Sequence, residues 1–294
     1  MKKNRTKVQV MINLVMTVVA VITVFPFLLL IMASFTDNDA IIRNGYSLFP
    51  EQFSLEAYSY IWGERTQIFR AYFITIFVTA VGTAVSLLMT LMYAYALSKQ
   101  AFPGKRFFTF FLLFTMLFNG GLVPTYTMYT RYFHMRNSIF ALLIPGMLLG
   151  AMNVILIRSY MQNNLPASLT ESAYIDGANE WQIFFKIAVP LSKPIVVTIG
   201  LFIGVGYWNN WTNGLYYITD EKLFSIQQVL TNMMRNIQYL SNNASSSASI
   251  TSITIPQATV RMAIAVIGIL PILIIYPYVQ RYFVRGITLG AVKG

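Results

Sequence analysis

Apolar and polar stretches alternate along the chain on the length scale of a bilayer. A membrane-crossing helix needs about 20 mostly apolar residues, and runs near that length occur at 8–33, 71–97, 107–129, 139–157, 195–215 and 260–276. The expectation is therefore an all-α chain, a polytopic membrane protein with six predicted transmembrane helices. The first run follows Lys2, Lys3, Arg5 and Lys7, as a secretory signal would. A signal's apolar region is only about 7–15 residues long, so an uncleaved helix is expected, kinked at Pro26. Asn119, Gly120, Gly121 and Pro124 fall within the third run and predict a broken helix, because freed backbone groups must find protein or water. Gly200, Gly204 and Gly206 in the fifth run predict close approach by another helix. Between the runs, residues 34–69 read as an amphipathic cap with Phe53, Leu55, Tyr58, Tyr60, Ile61 and Trp62 clustered. In 216–259, residues 223–240 have helical potential, and the serine- and asparagine-rich 241–252 reads as flexible.

One polar interruption has internal order. Residues 165–194 read as two short helices: Ser168 with Glu171 three positions on suggests a capping box, and Gly177 ends the first helix. Asn179 is placed to cap the second, with Glu180 in its first turn, Lys186 in its last, and Pro190 and Pro194 closing it. Trp181, Phe184, Phe185 and Ala188 recur at helical spacing and give this helix an apolar side. A polar hairpin between two apolar runs cannot cross lipid. It should lie at the membrane surface and meet a partner.

Composition agrees with the pattern: 56% of the 294 residues are hydrophobic, 11% are charged, and the mean hydropathy is +0.59. A formal net charge of +11 would suggest nucleic acid in a soluble chain. In a membrane protein, lysine and arginine gather in cytoplasmic loops, so no nucleic-acid partner is expected. Lys2, Lys3, Arg5, Lys7, Lys99, Lys105, Arg106, Arg158, Lys186, Lys193, Arg281, Arg285 and Lys293 share one side when both termini are cytoplasmic. Arg131 and Arg136 run against that bias. The sequence has no cysteine and one histidine, His134, which reads as a solvated residue near a span end, so no metal site is expected.

At the hairpin the chain resembles the permease subunits of binding-protein-dependent ABC importers. Their signature reads here as Glu171-Ser172-Ala173, then Asp176-Gly177-Ala178, then Ile187 and Pro190, with serine for the first alanine and Val189 for the usual leucine. From about residue 71, the order of spans and the tail from Gln280 through Arg281, Tyr282, Phe283, Val284, Arg285, Gly286, Ile287 and Thr288 to Gly294 are similar to the second permease of maltose-type sugar systems. The resemblance implies a type I ABC importer transmembrane fold and one permease domain over 1–294. That domain comprises a first helix and external segment (1–70), a core (71–281) and a cytoplasmic tail (282–294). It implies that Glu171 and Asp176 contact an ATPase or brace the loop, that Gly177 permits its turn, and that Trp181 and Phe184 anchor it on the permease. It also implies a second homologous permease, a dimer of ATP-binding subunits, an extracellular solute-binding protein docking on 216–259, a lipid bilayer and a sugar substrate.

The residues support an ATP-driven importer in two further ways. The six runs hold no Asp, Glu or His with which an ion-coupled carrier would grip its ion at depth. No glycine-rich Lys-Ser/Thr phosphate loop is present, so ATP and magnesium belong to the partner ATPase, and this chain is expected to bind no cofactor and to be no enzyme. Substrate contacts are less defined. Asn119, Trp208, Asn209, Asn210 and Trp211 combine ring faces and amides, as sugar sites do, yet tryptophans at a span end also serve as interface anchors. Outer arginines are nearly balanced by acids, so charge alone does not select an acidic saccharide. A glycerol phosphate or polyol permease is the alternative within the family, and an ion-coupled carrier the alternative outside it.

Overall fold

A computed structural model describes residues 2–99, 102–244 and 257–290. Among these the chain is helical, apart from one antiparallel bridge between Thr36 and Phe53. It divides into two compact units, one formed by residues 1–66 and 230–271, the other by 67–229 and 272–294.

The first unit begins with α1 (Lys2–Ser34), which continues through Pro26 as one helix and exposes apolar side chains from Val8 to Leu28. Thr17 and Thr23 donate to the carbonyls of Asn13 and Val19, both at 2.8 Å. Their hydroxyls therefore need no water in an apolar environment. Asp37 caps α2 (Asn38–Asn44), and Ala57 and Ile61 form the buried edge of α3 (Glu56–Gly63). The Ser34 and Tyr58 hydroxyls share a 2.8 Å hydrogen bond, and Tyr58 stacks on Phe35 at 4.9 Å. The expected aromatic cluster is smaller than its sequence suggests. An eight-residue helix buries one edge, so Trp62 faces outward while Ile61 faces in, and Phe53 and Leu55, which precede the helix, are exposed as well.

The second unit is built on α4 (Arg65–Ser98). Next come α5 (Lys105–Leu117), α6 (Leu122–Thr127) with a π turn to Tyr132, α7 (Phe140–Leu143) and α8 (Ala151–Asn164). The expected break in the third run is present: the chain bends by 112° between Leu117 and Leu122. Gly121 has φ +83°, and its N–H is held by the Asn119 side-chain oxygen at 2.8 Å. The expected helix over 139–157 is not continuous. Residues 144–150 leave the helix, with Gly146 at φ +69°, and other segments satisfy the backbone there. Tyr207 donates to the Leu143 carbonyl at 2.8 Å, Asn213 to the Pro145 carbonyl at 3.0 Å, and Ser86 to the Met147 carbonyl at 3.3 Å. Irregular backbone is tolerated in a membrane protein where protein groups replace water in this way.

After the hairpin elements α9 (Ala167–Ile175), α10 (Glu180–Ile183) and α11 (Val189–Leu191) comes α12 (Lys193–Trp208). It stops short of the expected 215 because Asn209 and Asn210 end it, and α13 (Thr212–Tyr217) follows. Two of the three expected glycines admit a neighbouring helix, while a Cβ on Gly206 would meet Met147 of the irregular 144–150 segment at 3.7 Å. A Cβ on Gly200 would meet Leu87 at 3.3 Å and one on Gly204 would meet Thr83 at 3.4 Å. On α4, a Cβ at Gly82 would sit 2.5 Å from the Tyr207 ring. Helices α4 and α12 thus approach with almost no side-chain cushion.

Helix α14 (Ile226–Ala244) covers 226–240 of the expected 223–240, since Leu223 ends a short 3-10 turn before it, and extends into the stretch expected to be flexible; the remainder of that stretch, 245–252, lies outside the described residues. Helix α15 (Gln257–Gly290) takes in most of the expected tail, and 291–294 lie outside the described residues. Among the described residues three helices are long and apolar enough to cross a bilayer, and up to five spans result if each of two bent pairs counts as one, against the six expected from the sequence.

Candidate functional site

The hairpin begins at Pro166, not at Ser168. Proline biases the preceding residue toward extended backbone, so Leu165 leaves α8 and α9 opens directly behind the ring. Ser168 therefore lies inside the helix, where its carbonyl accepts from the Ser172 hydroxyl at 2.9 Å, and no Ser168–Glu171 capping box forms. The other end matches the sequence reading. Gly177 has φ +80°; its N–H donates to the Tyr174 carbonyl at 3.0 Å, and the Ala178 N–H to the Ala173 carbonyl at 2.9 Å. These two bonds are the Schellman closure, which needs a left-handed residue after the helix. Asn179 then opens α10 with a reciprocal box. Its side chain accepts from the Gln182 N–H and its own N–H donates to the Gln182 side chain, both at 2.9 Å.

From α10 the chain continues through a π turn, Phe184–Ala188, into α11, which carries Pro190. At Ser192 it bends by 84° into α12. Ile183, Phe184 and Ala188 are buried and join the core cluster that includes Tyr95 and Leu97 of α4 and Ile199 of α12, with Ile187 partly buried against it. Of the two aromatic residues expected to anchor the loop, Phe184 is 3% exposed and Trp181 is 58% exposed. Trp181 instead stacks on the equally outward Phe185 at 6.2 Å. Ile183 takes the second anchoring position. Glu171, Ser172, Asp176 and Gly177 are exposed, Ala173 is buried and Ala178 half-buried. Ile175, beside the turn, is 86% exposed.

The sequence reading missed a polar cluster at this surface. Lys99, one residue beyond α4, forms an ion pair with Glu180 at the start of α10. Its ammonium also donates to the Tyr174 hydroxyl at 2.7 Å and lies 4.7 Å from the Tyr95 ring centre. Tyr174 donates in turn to Glu180, and the Tyr95 hydroxyl reaches the same carboxylate at 3.1 Å. Partial burial alone would favour neutral forms of both charged groups. The mutual pairing and the tyrosine hydroxyls outweigh it, leaving Lys99 above the ordinary lysine range and Glu180 below the ordinary carboxylate range. Glu180 reads from sequence as a dipole partner, and nothing in the pattern ties it to a lysine 81 positions away.

The residues proposed to line a pathway separate into different jobs. Asn119 holds the Gly121 turn, and Asn210 accepts from the Asn213 N–H at 3.0 Å. Trp208 is buried with its ring 6.3 Å from Tyr72, whereas Asn209 and Trp211 are exposed. Tyr126 stacks on Tyr217 at 5.7 Å, and Tyr129 meets the same ring edge-on at 6.1 Å, an aromatic group the sequence did not single out. His134 is exposed on a turn with φ +50°.

A hairpin braced on the core and exposed between apolar helices gives this membrane chain a surface that another protein can engage. The chain belongs to the family of binding-protein-dependent transport system inner membrane components, whose model matches residues 5–289. It is 37% identical over 275 residues to the polygalacturonan/rhamnogalacturonan transport system permease protein YtcP of Bacillus subtilis (strain 168), covering 94% of each chain. It is 26% identical over 299 residues to the melibiose/raffinose/stachyose import permease protein MelC of the same organism, covering both chains fully. A solved structure of a bacterial ABC transporter involved in the import of the acidic polysaccharide alginate has a TM-score of 0.78 and 30% identity, over 94% of this chain and 96% of that one. The protein is thus a multi-pass permease of the cell membrane and not an enzyme; ATP is hydrolysed by a partner ATPase.

Proposed function

We propose that this chain is one of two homologous permeases that, with a dimer of ATP-binding subunits and an extracellular binding protein, import short oligosaccharides, with uronate-containing fragments as the favoured class. The observation that carries the coupling role is the hairpin itself. It is closed by a left-handed glycine, anchored by Ile183 and Phe184, and bent by 84° away from α12, so it leaves Ile175, Trp181 and Phe185 outward beside Glu171 and Asp176. An apolar surface with flanking carboxylates suits insertion into a cleft on another protein. In this reading both termini and the hairpin are cytoplasmic. Residues 139–157 form the fourth of six spans despite their break, and 216–259 faces the binding protein.

The acidic class is favoured by two relatives, a polygalacturonan/rhamnogalacturonan permease and a transporter that imports the acidic polysaccharide alginate. Neutral oligosaccharides are the second reading, favoured by the melibiose/raffinose/stachyose relative. The test is uptake by cells with and without this chain, offering oligogalacturonides and raffinose separately. Loss of oligogalacturonide uptake alone supports the acidic class. Loss of raffinose uptake alone replaces it with the neutral one, and uptake of both unchanged by the deletion defeats the sugar-importer reading.

A further inference from the structure

The covalent path from the hairpin into the membrane runs through the sharp joint at Ser192. A short joint absorbs rotation in a few backbone torsions, as hinges do, so it transmits force poorly. A second, non-covalent path leads to the neighbouring helix α4. Tyr95 on its last turn packs against buried Phe184 of the hairpin at 5.3 Å, and Lys99 just beyond it grips Glu180. We propose that the Lys99–Glu180 ion pair, seated between Tyr95 and Tyr174, is a pin that makes the hairpin and α4 move as one body during transport. This rests on the reading of the hairpin as the ATPase contact.

Three features argue for positioning over simple stability. A pair this exposed adds little to folding on its own. Yet both charges are engaged from two sides: the Tyr174 hydroxyl accepts from Lys99 while donating to Glu180, and Tyr95 offers its hydroxyl to Glu180 and its ring face to Lys99. Four groups from two segments thus fix one direction of approach. Finally, α4 contacts α12 through glycines with almost no intervening side chain, so the hairpin, α4 and α12 close a triangle: one side is pinned, one tightly packed, and one a bent covalent joint.

The test uses the assembled transporter in proteoliposomes, with oligogalacturonides from a polygalacturonate digest as the probe, and reads solute taken up per ATP hydrolysed. Lys99→Ala and Glu180→Ala should still retain the ATPase subunit on purification but lose roughly fivefold or more in that ratio, a typical lower bound for a coupling interaction. The charge exchange Lys99→Glu with Glu180→Lys should recover part of the loss. Because the natural chain has no cysteine, Lys99→Cys with Glu180→Cys gives a clean two-site variant. It should be as poorly coupled as the single variants and regain coupling when a short bifunctional thiol reagent bridges the two sites. A pair of labels on Met92 and the exposed hairpin residue Lys186, each changed to Cys, should hold one narrow separation with and without trapped nucleotide. Unchanged coupling in both alanine variants, or a separation that shifts with nucleotide in the natural pairing, overturns the pin. Failure of the natural chain to retain any ATPase subunit overturns the hairpin reading itself, and the pin with it.

Discussion

Gly177 is where a single substitution has a calculable effect on the hairpin. Its φ of +80° lies in the left-handed region, which costs an L-residue about 1–2 kcal/mol, and more when the side chain is β-branched. An added Cβ would meet nothing within 4 Å, so the cost is carried by the backbone and not by a clash. Relief of that strain would require φ to turn negative, which breaks the bonds from Gly177 to Tyr174 and from Ala178 to Ala173 and swings Asn179 off α10. A penalty of this size lowers the ratio of closed to open turn by about 5–30-fold. Gly177→Val should therefore loosen the hairpin, Gly177→Ala should do so less, and Gly177→Asn should stay near the natural protein because asparagine tolerates this conformation. Amide exchange across 173–183 reads the turn, and uptake per ATP hydrolysed reads its consequence. Natural protection and natural coupling in Gly177→Val would refute the argument. Equal damage from Asn and Val would move the cause from backbone geometry to contact with the ATPase.

Four further outcomes follow from other local contacts. Gly82→Val would drive atoms into the Tyr207 ring, which is buried and hydrogen-bonded and cannot withdraw; thermal unfolding in detergent should show a loss of about 1–3 kcal/mol or failed assembly. Gly120→Ala, which meets nothing within 4 Å at an ordinary φ, is the neutral control. Tyr207→Phe removes the donor to the Leu143 carbonyl and should cost about 1–3 kcal/mol by the same measurement, because a buried carbonyl is left unpaired. Asn179→Ala loses the reciprocal cap of α10 and should cost about 1 kcal/mol, visible as faster amide exchange at 180–183 with α9 unaffected.

The parts of this fold written in local sequence are those where one residue type has one physical consequence. Gly177 stops a helix, Asn179 starts one, Asn119 through Gly121 break a span, and glycines on one helix admit another, each a matter of backbone sterics or one short side chain. The cap at Ser168 was misread because Ser-x-x-Glu also occurs inside a helix, and Pro166 had already set the start. The break over 144–150 has no strong local marker beyond Pro145 and Gly146. Its stability comes from Ser86, Tyr207 and Asn213, which lie on other elements. The apolar face of the second hairpin helix was also drawn too wide. With Phe184 and Ile183 turned inward, Trp181 and Phe185, four residues apart on one helical face, point out.

The same distinction bears on how such a subunit can move. Helix α4 and helix α12 are joined by packing that any separation would leave as a void, and close-packed interiors switch between arrangements instead of stretching. The 144–150 segment and the Leu143 carbonyl before it, by contrast, are held by three side-chain donors to main-chain carbonyls, from Ser86 of α4, Tyr207 of α12 and Asn213 of α13. Hydrogen bonds of this kind can be exchanged for water when a pathway opens, at far less cost than pulling apart interlocked helices. Alternating access is therefore expected to leave the α4–α12 contact intact and to change the exposure of 144–150. Cysteines introduced singly in place of the half-buried Leu148 and of Leu87, which faces Gly200, would separate the two cases: labelling at 148 should depend on nucleotide and labelling at 87 should not. The reverse pattern would mean that the glycine contact is the moving seam and the irregular segment its fixed wall.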